Sequence, residues 1–306
     1  MCALYGRVNT VLTYRDLLTE TEQSLENATI HCGHGYESPH DEAVALVLAA
    51  ADLPISTGAE ILDLIVPEVV QARLSNWLQE RIEKRRPVAY IIGRAWLGAL
   101  CFDCDERALV PRSPIMELVE EGFEPWLQNS YPSHIIDVCC GGGSLGLLAA
   151  MHFADAKVTL ADIDEHALAL AYQNSVNHQL EGRVAIQQGD LLGAFPPESA
   201  DIILANPPYV DALDMACLPP EYHHEPRHAL AAGEDGLDLV HRLLEQARDV
   251  LKPHGLLFLE VGNSWEALGQ AYPHFPFLWL DLSCGGHGVT VLTHADLVSV
   301  CAVGRV

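Results

Sequence analysis

The sequence predicts an α/β protein: a doubly wound, mostly parallel sheet preceded by a helical N-terminal domain. Three observations carry that prediction. From about residue 133, short apolar runs of strand length alternate with helical segments, the rhythm of a parallel sheet with helices on both faces. The first hundred residues instead repeat their apolar positions at helical spacing. A glycine-rich turn follows the first strand-like run and opens a helix, the place where such sheets receive ligands.

Taken in order, Ser38-Pro39-His40-Asp41 starts a helix. Ser caps it, Pro suits the first helical position, and Asp three residues on completes a capping-box pattern. The apolar run Ala43–Ala51 follows and stops before Leu53-Pro54. Val70, Leu74, Trp77, Leu78 and Ile82 then mark one face of a second helix. It ends in Arg81, Lys84, Arg85 and Arg86 before Pro87, and eight of the seventeen positive charges lie between Arg73 and Arg112. The expectation for that cluster is a solvated helix C-terminus complementing the macrodipole, with a surface for a nucleic-acid-containing partner as the sharper alternative. The strand runs are Ile135–Val138, Val158–Ala161, Val184–Gln187, Ile202–Ala205 and Leu256–Val261, and the helices between them are Leu145–Met151, Glu165–Asn177 and Leu237–Leu251. Leu278–Asp281, the Gly-rich Ser283–Gly288 and Val289–Leu292 read as an antiparallel hairpin closing the sheet. The expected organisation is a helical substrate-recognition domain over 1–87, a connecting segment with a short hairpin over 88–112, the sheet domain over 113–295, and a tail over 296–306.

Composition narrows the function. Of 306 residues, 49% are hydrophobic and 19% charged, enough to bury a sizeable core and to exclude disorder as the main state. Seventeen Lys and Arg against 42 Asp and Glu give a net charge of −25. Such a surface does not grip polyphosphate by itself and favours a basic partner. No stretch reaches 18 uninterrupted apolar residues, so no membrane span is expected. The start, Met1-Cys2-Ala3-Leu4-Tyr5-Gly6-Arg7, lacks a secretory pattern, and nine scattered cysteines fit a reducing cytoplasm. Cys101-Phe102-Asp103-Cys104 has no second pair or His set at zinc spacing, and fifteen histidines show no ligand spacing; no metal site is expected.

The chemistry concentrates at the carboxyl ends of the strands. Asp137-Val138-Cys139-Cys140-Gly141-Gly142-Gly143-Ser144-Leu145-Gly146 places glycines where a backbone approaches a ligand and a helix N-terminus where it meets an anionic group. Gly141, Gly143 and Gly146 also satisfy G-x-G-x-x-G, so a nicotinamide or flavin dinucleotide enters the comparison. Asp162 ends the second strand, placed to accept from ribose hydroxyls, and Asp190-Leu191 follows the third, placed to read an adenine amino group. Asn206-Pro207-Pro208-Tyr209 follows the fourth strand at the same edge. Two prolines hold a rigid extended turn. The Asn206 side-chain oxygen and the Pro207 carbonyl can accept from a planar –NH₂ group while Tyr209 packs on its face. A dehydrogenase has no use for that arrangement.

The Gly-rich turn, Asp162, Asp190 and Asn206–Tyr209 together resemble a class I S-adenosylmethionine-dependent methyltransferase with an amino-methylating (Asn/Asp)-Pro-Pro-(Tyr/Phe/Trp) motif. Within that superfamily the chain is similar to the N5-glutamine methyltransferases of the PrmB type. The similarity runs over roughly 25–293. It is carried by Pro87–Gly93, Leu109–Ile115, Asn206–Gly236 with its Leu218-Pro219-Pro220-Glu221-Tyr222 stretch, and Glu260–Ser264. The Leu-Pro-Pro-Glu-Tyr stretch separates that type from sister enzymes acting on release factors.

The resemblance implies a Rossmann-like class I fold, S-adenosyl-L-methionine as cofactor, and methylation of a glutamine amide in the large-subunit ribosomal protein L-three. It further implies cofactor binding by Asp137, Cys139, Cys140, Gly141, Gly142, Gly143, Asp162, Asp190, Leu191 and Asn206. Catalysis falls to Asn206, Pro207 and Tyr209, with Pro208 and Arg112 joining them at the substrate. The turn departs from the family's usual Asp-x-Cys-Thr-Gly-Ser-Gly-Cys in having Cys140 and Gly142 at the two hydroxyl positions, and His287 stands between glycines where Asp is usual. The rival readings are methylation of a release-factor glutamine or an exocyclic base nitrogen of RNA or DNA, a ribosome-assembly module without turnover, and a dehydrogenase. Outside residues 73–112 the charge leaves no broad basic stripe for sequence-specific DNA binding.

Overall fold

The computed structural model describes residues 12–127 and 131–303; the start Met1–Arg7 lies outside them. The chain divides into two compact units, Met1–Ile92 and Gly93–Val306.

The first unit is helical, with α1 over Tyr14–Asn27, α2 over Pro39–Ala50, α3 over Glu68–Glu83 and the short α4 over Val88–Ile92. The capping expected at Ser38 is present: its hydroxyl accepts from the Asp41 amide at 3.2 Å and donates to the Asp41 carboxylate at 2.6 Å. Leu25, Leu46, Val70 and Leu74 are buried together between the helices. The basic cluster is a solvated face only at Lys84, which is exposed; its three arginines are drawn inward. Arg81 is wholly buried and donates to both Glu42 oxygens at 2.7 and 2.8 Å and to the His31 carbonyl at 2.9 Å. Arg85 donates to the Ala28 carbonyl at 2.9 Å, and Arg86 pairs with Glu80 at 2.9 Å. The reason is stoichiometric: a buried carboxylate on α2 demands a buried cation, and helix spacing from Leu74 and Leu78 puts position 81 on the inner face.

The second unit opens with an antiparallel hairpin, β1 over Arg94–Leu97 and β2 over Leu100–Asp103, followed by α5 over Ile115–Glu120. The central sheet contains β3 (His134–Val138), β4 (Lys157–Asp162), β5 (Val184–Gln188), β6 (Ala200–Ala205), β7 (Leu251–Glu260) and β8 (Val289–Thr293) in the order β5-β4-β3-β6-β7-β8. All neighbours are parallel except β7 and β8. Winding runs outward from β3 in both directions, so the switch point lies between β3 and β6. The helices α6 (Ser144–His152) and α7 (Glu165–Asn177) join α5 on one face; α9 (Asp238–Val250), α10 (Trp265–Ala271) and α11 (His294–Val303) cover the other. The short α8 spans Ala212–Cys217. Successive residues explain why these strands read as continuous apolar runs. Ile135, Ile202, Leu204 and Phe258 face one core, while Ile136, Ile203, Ala205 and Leu257 face the other.

The expected closing hairpin is different in detail. Val289–Thr293 pairs antiparallel with β7, from Glu260↔Val289 to Leu256↔Thr293. Leu278–Asp281 contributes only the bridge Trp279↔Thr290. Its Trp279 stacks on Phe277 at 5.5 Å, and Leu280 packs against the opposite core; side-chain packing fixes that segment in place of a ladder. The end of the chain is helical through Val303, with Leu297 and Val300 buried in the second core. No helix of the described residues is long and apolar enough to cross a membrane.

Candidate active site

The glycine-rich turn joins β3 to α6 with the backbone left-handed at Cys139 (φ 57), Gly141 (φ 52) and Gly143 (φ 80). At Gly143 a Cβ would stand 2.7 Å from Leu160 Cδ1 and 3.1 Å from Ala171 Cβ, so the turn lies tight on β4 and α7. Two carboxylates hold it. Asp162 accepts from the Gly141 amide at 2.9 Å and from the Asp164 amide at 3.0 Å. Asp137 is buried and accepts from the Gly146 amide at 2.8 Å. Burial pushes the Asp137 carboxyl up to about 7, against the Gly146 hydrogen bond, with nearby Asp162 adding to the rise. Asn174 of α7 completes the support, donating to the Gly142 carbonyl at 3.0 Å and to the Asp103 carbonyl at 3.2 Å.

Beyond β5, Asp190 is exposed and pairs with Arg242 at 2.5 Å, while Leu191 is buried with its backbone left-handed (φ 52). Beyond β6, Asn206 is half-buried, Pro207 and Pro208 are buried, and Tyr209 is half-buried. The Tyr209 hydroxyl donates to Glu260 at 3.0 Å, and its carbonyl accepts from the Ser264 hydroxyl at 2.8 Å. Burial and the neighbouring Glu260 carboxylate drive the Tyr209 phenol far above its ordinary value, so it stays a neutral donor.

These elements surround one cavity of about 220 Å³ at the switch point. Asp137, Cys139, Cys140, Gly141, Gly142, Asp162, Asp190, Leu191, Asn206, Pro207, Pro208, Tyr209 and Arg112 all line it; Gly143 does not, and acts from behind as the tight point of the turn. Arg112 is held in the wall by protein partners. Its guanidinium makes a bidentate pair with buried Glu225 at 2.6 and 2.8 Å and lies 5.5 Å over the Tyr222 ring. Glu225 also accepts from the Val110 amide at 3.0 Å. Burial disfavours the Arg112 cation, yet the Glu225 charge and hydrogen bonds raise it well above the usual range. Arg112 thus binds the wall before α5 to the loop after α8.

Sequence reasoning missed Glu225, Glu260 and Ser113 as parts of the site. Glu260 closes an apolar strand and is buried, accepting from the Ser113 hydroxyl at 2.5 Å as well as from Tyr209. A charged residue inside the apolar run Leu256–Val261 was the available signal. Glu225 carried none, because its partner lies far away in sequence.

The donor set suits S-adenosylmethionine. The cavity wall presents the Asp162 carboxylate, which accepts from the backbone amides of Gly141 and Asp164, and this favours a cationic guest. The Gly143 turn leaves no room for a side chain and sets a bare backbone at the wall. Residues 124–218 match the methyltransferase small domain family. Over 292 residues the chain is 38% identical to the ribosomal protein uL3 glutamine methyltransferase of Francisella tularensis subsp. tularensis, covering 95% of this chain and 93% of the relative. Over 286 residues it is 39% identical to the protein of that name from Bordetella pertussis, covering 93% and 96%. The chain belongs to the family of ribosomal protein uL3 glutamine methyltransferases. Its fold is also that of the hMettl16 catalytic domain, solved with a MAT2A 3'UTR hairpin, with a TM-score of 0.51, 13% identity and coverage of 74% of this chain and 81% of that one. In this uL3 methyltransferase family member, parallel pairing of β3 with β6 brings the Gly-rich turn and Asn206–Tyr209 to one cavity.

Proposed function

We propose that the chain transfers the methyl group of S-adenosyl-L-methionine to the side-chain amide nitrogen (N5) of a glutamine in ribosomal protein uL3, the L-three protein. The observation that carries this reading is the rigid Asn206–Tyr209 turn on the cavity it shares with the glycine-rich turn and Asp162. When bound, S-adenosylmethionine supplies an electrophilic sulfonium methyl. Everything else falls to the protein. An amide nitrogen is a poor nucleophile because its lone pair is delocalised into the carbonyl, so the site orients it rather than deprotonating it. Asn206 Oδ1 and the Pro207 carbonyl accept the two amide protons and aim the nitrogen; Tyr209 packs on the amide plane. Pro208 keeps the turn extended. Alignment of this kind supplies up to about 7–11 kcal/mol in ideal cases. Positive charge growing on nitrogen is met by the same two acceptors, and the extra proton leaves to solvent after transfer.

Asp162 holds the ribose hydroxyls with the lone pairs its amide donors leave. Asp190-Leu191 flanks the adenine, and Asp137 with the 139–143 turn faces the amino-acid end. Arg112 shapes the substrate wall through Glu225. The net charge of −25 complements a basic ribosomal protein. We read the free protein, before RNA covers it, as the form modified, in the cytoplasm, with an assembling particle as the alternative.

Labelled S-adenosylmethionine, offered with unmodified ribosomal proteins, an unmodified release factor and protein-free RNA, tests this directly. Label on one uL3 glutamine is expected; label on RNA or on a release factor alone overturns it.

A further inference from the structure

The cavity wall contains a buried chain of hydrogen bonds that the transfer chemistry above leaves unused. Ser113, just before α5, donates to one oxygen of Glu260 at 2.5 Å, and Tyr209 donates to the other at 3.0 Å. Glu260 is only 5% exposed and sits at the last position of β7. Tyr209 is further fixed at its carbonyl by Ser264 at 2.8 Å. Its ring lies so close to the Gly262 backbone that a Cβ there would stand 2.8 Å from Cζ and 3.0 Å from Cδ2. The ring is thus pinned at hydroxyl, carbonyl and face. Only the hydroxyl restraint comes from a charged group, and a buried carboxylate costs several kcal/mol to desolvate. A plain hydrophobic neighbour would hold a passive ring without that cost. What the carboxylate adds is direction, because a charge-assisted acceptor fixes where the hydroxyl points.

We propose that Glu260 is a positioning residue: through its hydrogen bond to Tyr209 it sets the angle of the ring on which the target glutamine's amide plane rests. Ser113 holds the second oxygen so that Glu260 cannot rotate away. The proposal builds on the amide-slot reading of Asn206–Tyr209.

The test is a double-mutant cycle in the full chain, with S-adenosylmethionine and unmodified uL3. Glu260→Ala is expected to lower kcat/KM for uL3 by about ten- to a hundredfold, as a misplaced reactive group does, while the Kd for S-adenosylmethionine stays within about twofold. Glu260→Gln, whose carbonyl still accepts from the phenol, restores most of that loss. Tyr209→Phe loses a similar factor, and Glu260→Ala in the Tyr209→Phe background costs little more. If the two losses instead multiply, or if Glu260→Gln is as poor as Glu260→Ala, Glu260 does not act through the ring and the proposal fails. Should Glu260→Ala not fold, the cycle of Ser113→Ala with Tyr209→Phe carries the same expectation of non-additivity. Asn206→Ala is measured alongside: full turnover there refutes the amide slot itself, whatever the cycle shows.

Discussion

Replacing Gly143 by alanine separates two physical costs in the cofactor turn. The backbone there has φ 80, and the new methyl would stand 2.7 Å from Leu160 Cδ1 and 3.1 Å from Ala171 Cβ. A left-handed conformation costs an L-residue roughly 1–2 kcal/mol, and an inserted methyl in a packed core costs roughly 1–3 kcal/mol. The expected destabilisation is therefore about 2–5 kcal/mol, a large share of the roughly 5–15 kcal/mol of a typical domain. Gly285 supplies the internal control, because its φ is also 80 but nothing lies within 4 Å of its added Cβ. Gly285→Ala carries the backbone cost alone, about 1–2 kcal/mol. Urea unfolding of both variants gives the difference, and calorimetry with S-adenosylmethionine reads the displaced turn as weaker binding in Gly143→Ala alone. Equal unfolding midpoints for the two variants, or unchanged affinity in Gly143→Ala, would refute the account of that turn.

Asn206→Ala is expected to cut turnover by about two to three orders of magnitude, as loss of a positioned polar partner does, with calorimetric affinity for S-adenosylmethionine retained; normal turnover sinks the role given to Asn206. Glu225→Ala strands the Arg112 charge and the Val110 amide and is expected to cost about 2–4 kcal/mol, discounted because the guanidinium is partly exposed; an unfolding change below about 0.5 kcal/mol would show the pair to be incidental. Asp137 titrates near 7 in the fold and near 3.9 unfolded. Between those values the folded state binds the extra proton, so this carboxyl's contribution to stability falls as pH rises from about 4 to about 7 and is flat above. Asp137→Asn should remove that slope from a pH series of unfolding curves, and an unchanged slope contradicts the assignment.

Much of the fold was legible because the pattern there has one cause. The strands Ile135–Val138, Val158–Ala161 and Ile202–Ala205 are buried on both faces, and α7 occupies the predicted Glu165–Asn177. Local chemistry likewise marked the start of α2, where Ser38 and Asp41 close on each other. What stayed hidden depends on distant partners. Arg81 reads as a surface cation until Glu42, on another helix, is known to face it. Arg112 reads as a free cation beside the cleft until Glu225 is known to pair with it through two hydrogen bonds. Trp279 sits in a run with strand-like spacing, yet its ring stacking leaves a single bridge. At the site, residue type and strand-end position were enough to gather the acids and the Asn206 turn. They could not reveal which carboxylates are already spent on the protein itself.

That distinction bears on the altered turn. Cys140 and Gly142 stand where hydroxyl residues are usual for this family, and the surroundings show how the turn keeps its shape without them. Cys140 is buried, and its amide donates to the Ala161 carbonyl at 3.1 Å. A Cβ at position 142 would meet Leu170 Cδ2 at 3.3 Å and lie 3.7 Å from Asn174 Nδ2. Leu170 and Asn174 thus pack directly against the turn at position 142, and Asn174 uses its amide to hold the Gly142 carbonyl. The order lost from the turn is regained from α7, through one residue that also ties the end of β2 to the same point. Asn174→Leu should therefore weaken S-adenosylmethionine binding although Asn174 does not line the cavity; undiminished affinity would mean that the turn holds itself.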